Sequence, residues 1–458
     1  MTHTRSRWLP DTILLAMTVL CTSGTALCDI DPFAIIMIPD DGGTYTTARG
    51  INNLGAVTGS SSLDDYAYIF HNGRIEVLDI PDGMVDSDGF AINSFGAVAG
   101  RSEGSDYRLH ATFWDRNTPP VLLGDFGGNY SMARSINDSN QIVGSASDTD
   151  GFTRAFYWAD GVLTDLGTLG GDVSIAYEIN ENGLIVGYAE NAEGTSRASV
   201  WRVGVIEELP DLGDKSSFAY GVNDQNEVVG RVWEVQITPV MWSRGGIKRL
   251  QYPPVFYGEY HGAVAEHINN NGVITGYINK WASDYTRPIV WPSPDDMAVS
   301  VYRLLPPLSR WHYIGTLQDI NDLNQIVGFG NYGPGDGVFH KHAFLLTPVY
   351  PSFDLTEFSP GVSGQMSTIE AHNVPPGATV HFLGARWGGG ALIPTCDVTR
   401  NALQLEDPRQ LGTAVADEGG VAVIEGLIPD EWAGREILFQ AFVRDSCEIS
   451  NLVVQAFE

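Results

Sequence analysis

The chain has 458 residues, of which 43% are hydrophobic and 18% charged, so it can bury a core and is not a disordered tail. Its formal net charge of −30 disfavours binding to a nucleic-acid backbone or to an anionic membrane surface. The 52 glycines and the 10% aromatic content favour short strands joined by tight turns.

The first 28 residues are predicted to be an export signal. Two arginines (Arg5 and Arg7) precede an apolar run at residues 12–20, and small residues follow as far as Cys28. This order is typical of a secretory signal, with cleavage after Cys28 or, alternatively, after Ala26. Because the run is shorter than the about 20 residues that cross a bilayer, no membrane span is expected. We therefore expect bacterial-type export to the extracellular space or the cell surface.

Cleavage would leave two cysteines, Cys396 and Cys447. In an exported protein an even number of cysteines favours a disulfide, so these two are predicted to be cross-linked. The alternative is a pair of buried free thiols.

Internal repeats organise the middle of the chain. An Ile-Asn or Val-Asn pair recurs at intervals of 41 to 52 residues, with a glycine seven residues after each asparagine. The asparagines are Asn52, Asn93, Asn137, Asn180, Asn223, Asn269 and Asn321. The glycines are Gly59, Gly100, Gly144, Gly187, Gly230, Gly276 and Gly328.

Each asparagine is predicted to open a hairpin turn. Only glycine or asparagine occurs three residues later, and these two residue types adopt a positive φ most readily. The pattern predicts a type I turn closed by a left-handed residue, so the flanking segments are paired strands. A third strand ends in most repeats at a tryptophan, and a fourth follows a short turn. Trp114, Trp158, Trp201, Trp242 and Trp291 are predicted to pack between neighbouring repeats.

Four short strands per repeat predict an all-β, seven-bladed β-propeller over residues 29–348, and a solenoid is the competing architecture. The seventh repeat lacks its fourth strand, because the chain turns away at Pro348 after the third. The apolar segment at residues 33–39 precedes the first repeat and is predicted to supply the missing strand. Closure of this kind removes the free edges that a solenoid would have to cap.

Several motifs resemble those of the HAF repeat family of bacterial extracellular proteins. They are the segment Asp165–Gly171, the segment Ile179–Gly183, and His342-Ala343-Phe344. The resemblance spans about residues 40–348 and implies an extracellular, repetitive protein, with no catalytic residue to transfer. This chain departs from the pattern where Pro239 and Pro288 replace the alanine that begins the third strand.

Residues 352–458 lack the repeat and are predicted to form a small β-sandwich. Alternating stretches such as 379–383, 420–424 and 437–442 are separated by Pro-Gly and Glu-Gly-Gly turn signals. The module resembles C-terminal domains of secreted bacterial proteins.

Metal and catalytic motifs are weak. Asp86-Ser87-Asp88-Gly89 and Asp148-Thr149-Asp150-Gly151 are fragments of a calcium loop without its bidentate acid, so solvated turns are the simpler interpretation and no cofactor is predicted. His340 and His342 could face one metal, but no third ligand follows them. Glu266-His267 would lie on an innermost strand, where solvated channel residues are the simpler interpretation.

A candidate ligand face is predicted where two consecutive inter-repeat links are long and aromatic. Its residues are Tyr252, Phe256, Tyr257, Tyr260, His261, Trp311, His312 and Tyr313. Flat aromatic surfaces suit sugar rings or an apolar partner, and the alternative is that these rings pack on one another to hold the links.

The predicted function is that of a secreted, non-catalytic binding or surface-interaction module for an extracellular glycan or protein. The alternative is a hydrolase or lyase that acts on extracellular polysaccharide. The acidic surface makes anionic polysaccharides poor partners unless divalent cations bridge them.

Overall fold

The computed structural model describes residues 32–39, 45–62, 65–202, 204–213, 215–253, 260–280, 286–333, 340–392 and 402–457. In these ranges strands form the fold, with two short 3-10 helices at Val301–Arg303 and Asp430–Trp432. The all-β class is therefore confirmed. No helix in the same ranges is both long and apolar enough to cross a bilayer.

Strand β1 (Phe33–Met37) is followed by seven antiparallel units, numbered in chain order. Unit 1 comprises β2 (Thr46–Ile51), β3 (Val57–Ser61), β4 (Tyr66–His71) and β5 (Arg74–Val77). Unit 2 comprises β6 (Met84–Ile92), β7 (Val98–Gly104), β8 (Leu109–Asp115) and β9 (Thr118–Leu122). Unit 3 comprises β10 (Gly127–Ile136), β11 (Ile142–Asp148), β12 (Thr153–Ala159) and β13 (Val162–Asp165).

The remaining units repeat this order. Unit 4 comprises β14 (Gly170–Ile179), β15 (Ile185–Asn191), β16 (Ser196–Arg202) and β17 (Val205–Glu208). Unit 5 comprises β18 (Ser217–Val222), β19 (Val228–Trp233), β20 (Ile237–Ser243) and β21 (Gly246–Arg249). Unit 6 comprises β22 (Tyr260–Ile268), β23 (Ile274–Lys280), β24 (Thr286–Trp291) and β25 (Val299–Ser300). Unit 7 comprises β26 (Trp311–Ile320), β27 (Ile326–Tyr332) and β28 (His340–Pro348).

Strand β1 completes unit 7. It pairs antiparallel with β28, with Phe33 opposite Pro348 and Met37 opposite Phe344. The side chains of Ile35 and Ile36 are both buried, one against unit 7 and the other against a core shared with the C-terminal domain. The two ends of the repeat region therefore meet in one sheet.

The first hairpin turn of every unit has the predicted geometry. The residue three positions after each repeat asparagine has a positive φ. These residues are Gly55, Gly96, Asn140, Gly183, Asn226, Gly272 and Asn324. In unit 4, Asn180 Oδ1 accepts hydrogen bonds from the backbone N–H groups of Asn182 and Leu184, at 3.1 and 2.8 Å. The asparagine thus fixes its own turn, as the sequence predicts.

The same asparagines also connect the units. Each side-chain amide donates to the backbone carbonyl of the repeat asparagine in the next unit. The series returns to its start, because Asn321 Nδ2 donates to the carbonyl of Asn52 at 3.0 Å. Seven buried side chains therefore form a closed circuit of hydrogen bonds, which we call the asparagine circuit.

A second set of bonds joins the third strand of one unit to the first strand of the next. In unit 3, Ala155 N–H donates to Ser174 Oγ of unit 4 at 2.9 Å, and the unit 1–2, 2–3, 4–5 and 7–1 junctions repeat this bond. Pro239 and Pro288 have no N–H to donate, and the position equivalent to Ser174 in the next unit is then Ala263 or Gly315. Donor and acceptor are lost together, so the two sequence departures leave no unpaired hydroxyl.

The periodic tryptophans also hold neighbouring units together, which confirms their predicted packing role. Their side chains are buried, and the indole N–H groups of Trp114, Trp201 and Trp242 donate to carbonyls of the link that leaves the preceding unit, at 2.8, 3.0 and 2.7 Å. Buried indole N–H groups need such a partner.

The C-terminal domain is a two-layer β structure. Its strands are β29 (Asp354–Leu355), β30 (Met366–His372), β31 (Thr379–Ala385), β32 (Trp387–Leu392), β33 (Ala402–Glu406), β34 (Arg409–Val415), β35 (Ala422–Leu427), β36 (Glu436–Val443), β37 (Glu448–Ile449) and β38 (Val453–Ala456). Strands β29, β30 and β35 form one sheet, and β31, β34, β36, β37 and β38 form the other. Ile369, Phe382 and Phe439 belong to the core between them.

The second sheet of this domain is buried on both faces. Phe439 faces the other sheet, whereas Leu438 and Phe442 belong to a core that includes Ile36 and Leu345 of unit 7. This double burial explains the nearly continuous apolar run of β36, which was predicted to alternate between core and solvent.

The hairpin β32–β33 contacts unit 7 directly. A Cβ at Gly390 would lie 2.6 Å from Ile36 Cγ1, and one at Gly388 would lie 2.1 Å from the carbonyl oxygen of Pro307. Arg310 Nη1 forms an ion pair with Glu406 at 3.0 Å across the same interface. The glycine run at 388–390 therefore permits a close approach between the two domains.

Candidate functional site

The innermost strands of the seven units surround one chamber. Its volume is about 280 Å³, and every unit contributes at least one side chain to its wall. The lining residues are Arg49, Phe90, Ala91, Arg134, Ser135, Tyr177, Glu178, Tyr220, Glu266, His267, Gln318 and Asp319. We call this cavity the channel chamber.

A β-bulge in each innermost strand aims one side chain at the chamber. In β14, Ala176 pairs with Gly187 and Glu178 pairs with Val186, so Tyr177 between them is the extra residue. The same register shift occurs three residues before the repeat asparagine in all seven units. The seven bulge residues are Arg49, Phe90, Arg134, Tyr177, Tyr220, Glu266 and Gln318, and all of them line the chamber.

The repeat glycines accommodate these bulges. A Cβ at Gly187 would lie 1.9 Å from the carbonyl oxygen of Ile175 on the bulged strand, and the other six positions show equivalent distances of 1.8 to 2.4 Å. Only glycine leaves room for this backbone approach.

Two carboxyl groups in the chamber wall bridge neighbouring units. Glu178 accepts a hydrogen bond from Val222 N–H at 3.0 Å, and Asp319 accepts one from Ile51 N–H at 2.9 Å. Burial raises the pKa of Asp319 to about 7. Burial and the Asp319 charge hold the pKa of Glu178 well above its usual value. Both groups therefore have a structural role and are easily protonated.

Glu266 and His267 adjoin each other on β22, and both line the chamber. Burial raises the pKa of Glu266 to about 8, although the Arg231 guanidinium opposes this shift. Burial lowers the pKa of His267 to about 4. Both side chains are therefore largely uncharged at neutral pH, and they differ from the freely solvated channel residues of the simpler interpretation.

Aromatic rings cover the sector of the chamber formed by units 4 and 5. The ring centroids of Tyr177 and Tyr220 are 5.1 Å apart, and those of Tyr188 and Phe218 are 4.9 Å apart. The Arg231 guanidinium lies over Phe218 at 4.8 Å. This sector offers flat, half-buried surfaces beside cationic groups.

Two arginines of the wall differ in their partners. Arg49 forms a two-point ion pair with Asp88, with Nε–Oδ1 and Nη2–Oδ2 distances of 3.0 and 2.9 Å. Arg134 lies over the Tyr177 ring at 5.3 Å, and no carboxylate of the described residues lies within ion-pairing distance of it. Its Nε is buried without a hydrogen-bond partner in the same part of the chain.

The opposite opening, beside the asparagine circuit, has a different character. A cavity of about 170 Å³ there is lined by the residues that follow the repeat asparagines, among them Asp138, Glu181, Asp224 and Asp322. Their side chains accept hydrogen bonds from backbone N–H groups of the preceding unit, as Asp224 does from Glu181 N–H at 3.0 Å. These acids therefore cap the turns.

The predicted aromatic ligand face is only partly described. Phe256 and Tyr257 lie outside the described residues, and Tyr260 and His261 begin β22. Tyr252 is half-buried, and its hydroxyl accepts a hydrogen bond from Gln236 Nε2 at 3.0 Å.

The part of that face on β26 is mainly structural. Trp311 is only 6% exposed and packs against Tyr332 and Phe344, with ring centroids 5.4 and 5.5 Å away. His312 is exposed, and its Nε2 lies 3.1 Å from the carbonyl oxygen of Gly333. Tyr313 is half-buried. The assignment of Trp311 to a ligand surface is corrected, because the side chain belongs to the unit 7 core.

The first calcium-loop fragment is not a solvated turn, so that interpretation is corrected. Asp86, Ser87, Asp88 and Gly89 lie inside strand β6. Asp88 is buried and pairs with Arg49, and Ser87 Oγ accepts a hydrogen bond from Ala67 N–H at 2.8 Å. The residues are fixed by neighbouring strands.

The second fragment is the predicted turn. Asp148 Oδ1 accepts hydrogen bonds from the N–H groups of Asp150 and Phe152 at 3.0 and 2.9 Å, and Gly151 has a φ of 88°. Arg154 forms an ion pair with Asp148 at 3.1 Å.

Two further patterns have structural explanations. The imidazoles of His340 and His342 lie 6.1 Å apart, and His342 is buried edge-to-face against Tyr332. A Gly-x-Ser-x-Gly pattern occurs at residues 100–104, but it lies within β7, and Ser102 is fully buried beside Thr112 Oγ1. A nucleophilic serine of this motif would need an exposed strand-to-helix turn.

Two sequence predictions lie outside the described residues. The export signal is one, and Cys396, the predicted partner of Cys447, is the other. The cross-link therefore stays a prediction, which mass spectrometry of the unreduced mature protein would check.

The bulge residues were missed by sequence reasoning, although a signal for them exists. The positions one and four residues before each asparagine are nearly constant among the seven copies, whereas the positions three and two residues before it carry five and six different residue types. This variation indicates that the side chains at these positions do not have the same structural role in every unit.

Comparisons with known proteins leave the family open. No family model matches the chain, and no curated protein matches it in sequence. Among solved structures, a putative TolB from Agrobacterium tumefaciens is 13% identical, with a TM-score of 0.37 over 70% of this chain and 99% of that one. A prolyl endopeptidase is 13% identical, with a TM-score of 0.43 over 86% and 61% of the two chains. A gluconolactonase from Xanthomonas campestris is 14% identical, with a TM-score of 0.33 over 72% and 99%. At these scores none of them supports a functional argument.

Proposed function

We propose that the chain is an exported, seven-bladed β-propeller that binds a ligand in the channel chamber. Each of the seven units is one blade, the N-terminal strand β1 closes the last blade, and the C-terminal domain is a β-sandwich docked on that blade. The antiparallel pairing of β1 with β28 and the closed asparagine circuit support this architecture. The membership in the HAF repeat family rests on the motifs of the sequence.

One observation carries the binding proposal. The seven bulge positions carry five different residue types, and all seven side chains converge on a single chamber. Structural side chains that hold repeats together are the same in each copy, as the asparagines are. Residues of several types that meet in one cavity are suited to recognising an asymmetric ligand.

The carboxyl groups favour binding over catalysis. Glu178 and Asp319 each accept a hydrogen bond from a backbone N–H group of the next unit, and this structural role accounts for both without a catalytic one. The proposed function is therefore that of a secreted, non-catalytic module for an extracellular glycan or protein ligand.

The second candidate, a polysaccharide hydrolase or lyase, is favoured by Glu266 and His267. A carboxyl group with a raised pKa beside a neutral imidazole is an arrangement that general acid–base chemistry uses. Release of reducing sugar or of an unsaturated product by the wild type, lost in Glu266→Gln, would establish this candidate instead.

The binding proposal is tested with a glycan array probed by the mature protein. The strongest hit is then titrated against Ala91→Phe, which fills the chamber from β6, and against Ala433→Phe, which adds the same bulk to an exposed site of the C-terminal domain. We expect Ala91→Phe to abolish binding while Ala433→Phe binds as the wild type does. Undiminished binding by Ala91→Phe would contradict a chamber site.

A further inference from the structure

The chamber combines an unpaired cation with flat aromatic surfaces. Arg134 projects beside Tyr177, and within the described residues its guanidinium has no carboxylate partner and one buried N–H without an acceptor. A buried donor without a partner has lost its hydrogen bonds to water and gained none in return, which is unfavourable. A ligand that brings an acceptor to Arg134 would remove this penalty.

The groups that face Arg134 do not neutralise it. Glu178, in the next unit, accepts a hydrogen bond from Val222 N–H, and burial raises the pKa of its carboxyl group. Burial raises the pKa of Glu266 to about 8, so this carboxyl group is largely uncharged at neutral pH. The second arginine of the wall, Arg49, is neutralised by Asp88. Arg134 is therefore the arginine of the lining without an ion-pair partner among the described residues.

The overall charge of −30 does not determine what binds in this chamber. Charges on the outer surface are screened beyond the Debye length of about 8–10 Å, whereas groups inside a cavity act over hydrogen-bond distances. The sequence predicts that anionic polysaccharides are poor partners because the surface is acidic. That argument concerns the outer surface, and it does not apply to a single anionic group that reaches Arg134 inside the chamber.

The other lining groups suit a sugar. Tyr177 and Tyr220 present half-buried rings on one side, and Ser135, His267 and Gln318 supply hydrogen-bonding groups. Aromatic faces pack against the C–H faces of pyranose rings, and the polar groups pair with hydroxyls. A volume of about 280 Å³ is near the lower end for small-molecule sites and suits one or two sugar rings.

We propose that the channel chamber binds a carboxylated sugar, the uronate unit at the end of an acidic polysaccharide. The sugar carboxylate pairs with the guanidinium of Arg134, and the pyranose ring stacks on Tyr177 and Tyr220. This inference rests on the proposed binding function and names the ligand class of the same site.

The test measures binding of the mature protein to galacturonate and glucuronate oligomers of one to three units, with galactose and glucose oligomers of equal length as neutral comparators. We expect the uronates to bind at least about tenfold more tightly than the neutral sugars. Arg134→Gln should remove that preference, and Arg134→Lys should restore part of it. Arg202→Gln, at an exposed site at the end of β16, serves as the matched control.

Each outcome is decisive. Equal affinity for uronates and neutral sugars, with loss of both in Ala91→Phe, overturns the ligand class and leaves the chamber site intact. Uronate binding that survives Ala91→Phe overturns both proposals. Absence of binding to every uronate oligomer, in a protein that melts cooperatively, also overturns the ligand class.

Discussion

Apolar clusters pack in both the repeat region and the C-terminal domain, but the repeat region adds a set of copied polar bonds. These are an asparagine amide to the next carbonyl in all seven units and an alanine N–H to a hydroxyl in five junctions. In the C-terminal domain one sheet is instead buried on both faces by apolar side chains. Polar bonds at fixed spacing leave the bulge positions free to vary, whereas a packed apolar core does not. A ligand site is therefore easier to build in the first region than in the second.

The largest expected effect comes from removing β1, which belongs to both regions. Deletion of residues 33–39 exposes the edge of β28 and uncovers the apolar surface that the C-terminal domain shares with unit 7. Four large buried side chains are lost, at about 1.5–3 kcal/mol each, so the free energy of unfolding should fall by about 6–12 kcal/mol. Thermal melting by circular dichroism checks this. An unchanged melting temperature would mean that β1 stabilises neither region.

The repeat glycines should be much less tolerant than glycines of the C-terminal domain. In Gly187→Ala the new Cβ would meet a carbonyl oxygen 1.9 Å away, whereas in Gly426→Ala nothing lies within 4 Å. We expect Gly187→Ala to lower the free energy of unfolding by about 3 kcal/mol or more and Gly426→Ala to change it by less than about 0.5 kcal/mol. Urea denaturation of both variants gives the comparison. Equal values would show that the bulged backbone yields to a methyl group.

The asparagine circuit can be separated from the turn that each asparagine closes. Asn191 closes a hairpin turn through the N–H groups of Glu193 and Thr195 but forms no such bond to the next unit in the described structure. Asn180 closes a turn and also donates to Asn223 at 2.8 Å. Asn180→Ala should therefore cost about 1–2 kcal/mol more than Asn191→Ala in chemical denaturation. A loss of unfolding free energy in Asn180→Ala no larger than that in Asn191→Ala would show that the asparagine circuit does not contribute to stability.

The smallest effect concerns pH. Glu266 ionises near 4.5 in the unfolded chain and near pH 8 in the folded one, so its contribution to stability declines as pH rises through this window and is fully lost above pH 8. Because the side chain is only half-buried, we expect a loss on the order of 1–2 kcal/mol. Glu266→Gln should become more stable relative to the wild type between pH 6 and 9, whereas exposed Glu193→Gln should not. Parallel stability curves for wild type and Glu266→Gln would contradict the raised pKa.

Local patterns predicted much of the repeat region. The asparagine turns, the positive φ of the third following residue and the tryptophan packing all follow from neighbouring residues in the sequence. The asparagine circuit was not predicted, because its bonds join residues more than 40 positions apart. The bulges were not predicted either, although they lie within single hairpins, where Ala176 pairs with Gly187 and Glu178 pairs with Val186. Asp88 was misinterpreted because its partner Arg49 lies in another unit.

The packing of the C-terminal domain against unit 7 was not predicted from the sequence. The strands of residues 379–383 and 437–442 were recognised, but the continuous burial of β36 was not. An apolar run such as that of β36 can belong to a sheet that is buried on one face or on both. Here the second face is buried because unit 7 and the hairpin β32–β33 pack against it. Whether Trp311 is exposed or buried also depends on packing between strands, so the sequence left both alternatives open.

A crystal structure of the mature protein with the strongest ligand from the glycan array would show whether the bulge residues form the ligand site. We expect ligand density in the channel chamber, with the ligand in contact with Arg134, Tyr177 and Tyr220. Density confined to the aromatic links near Tyr252 and His312, with an empty chamber, would contradict it.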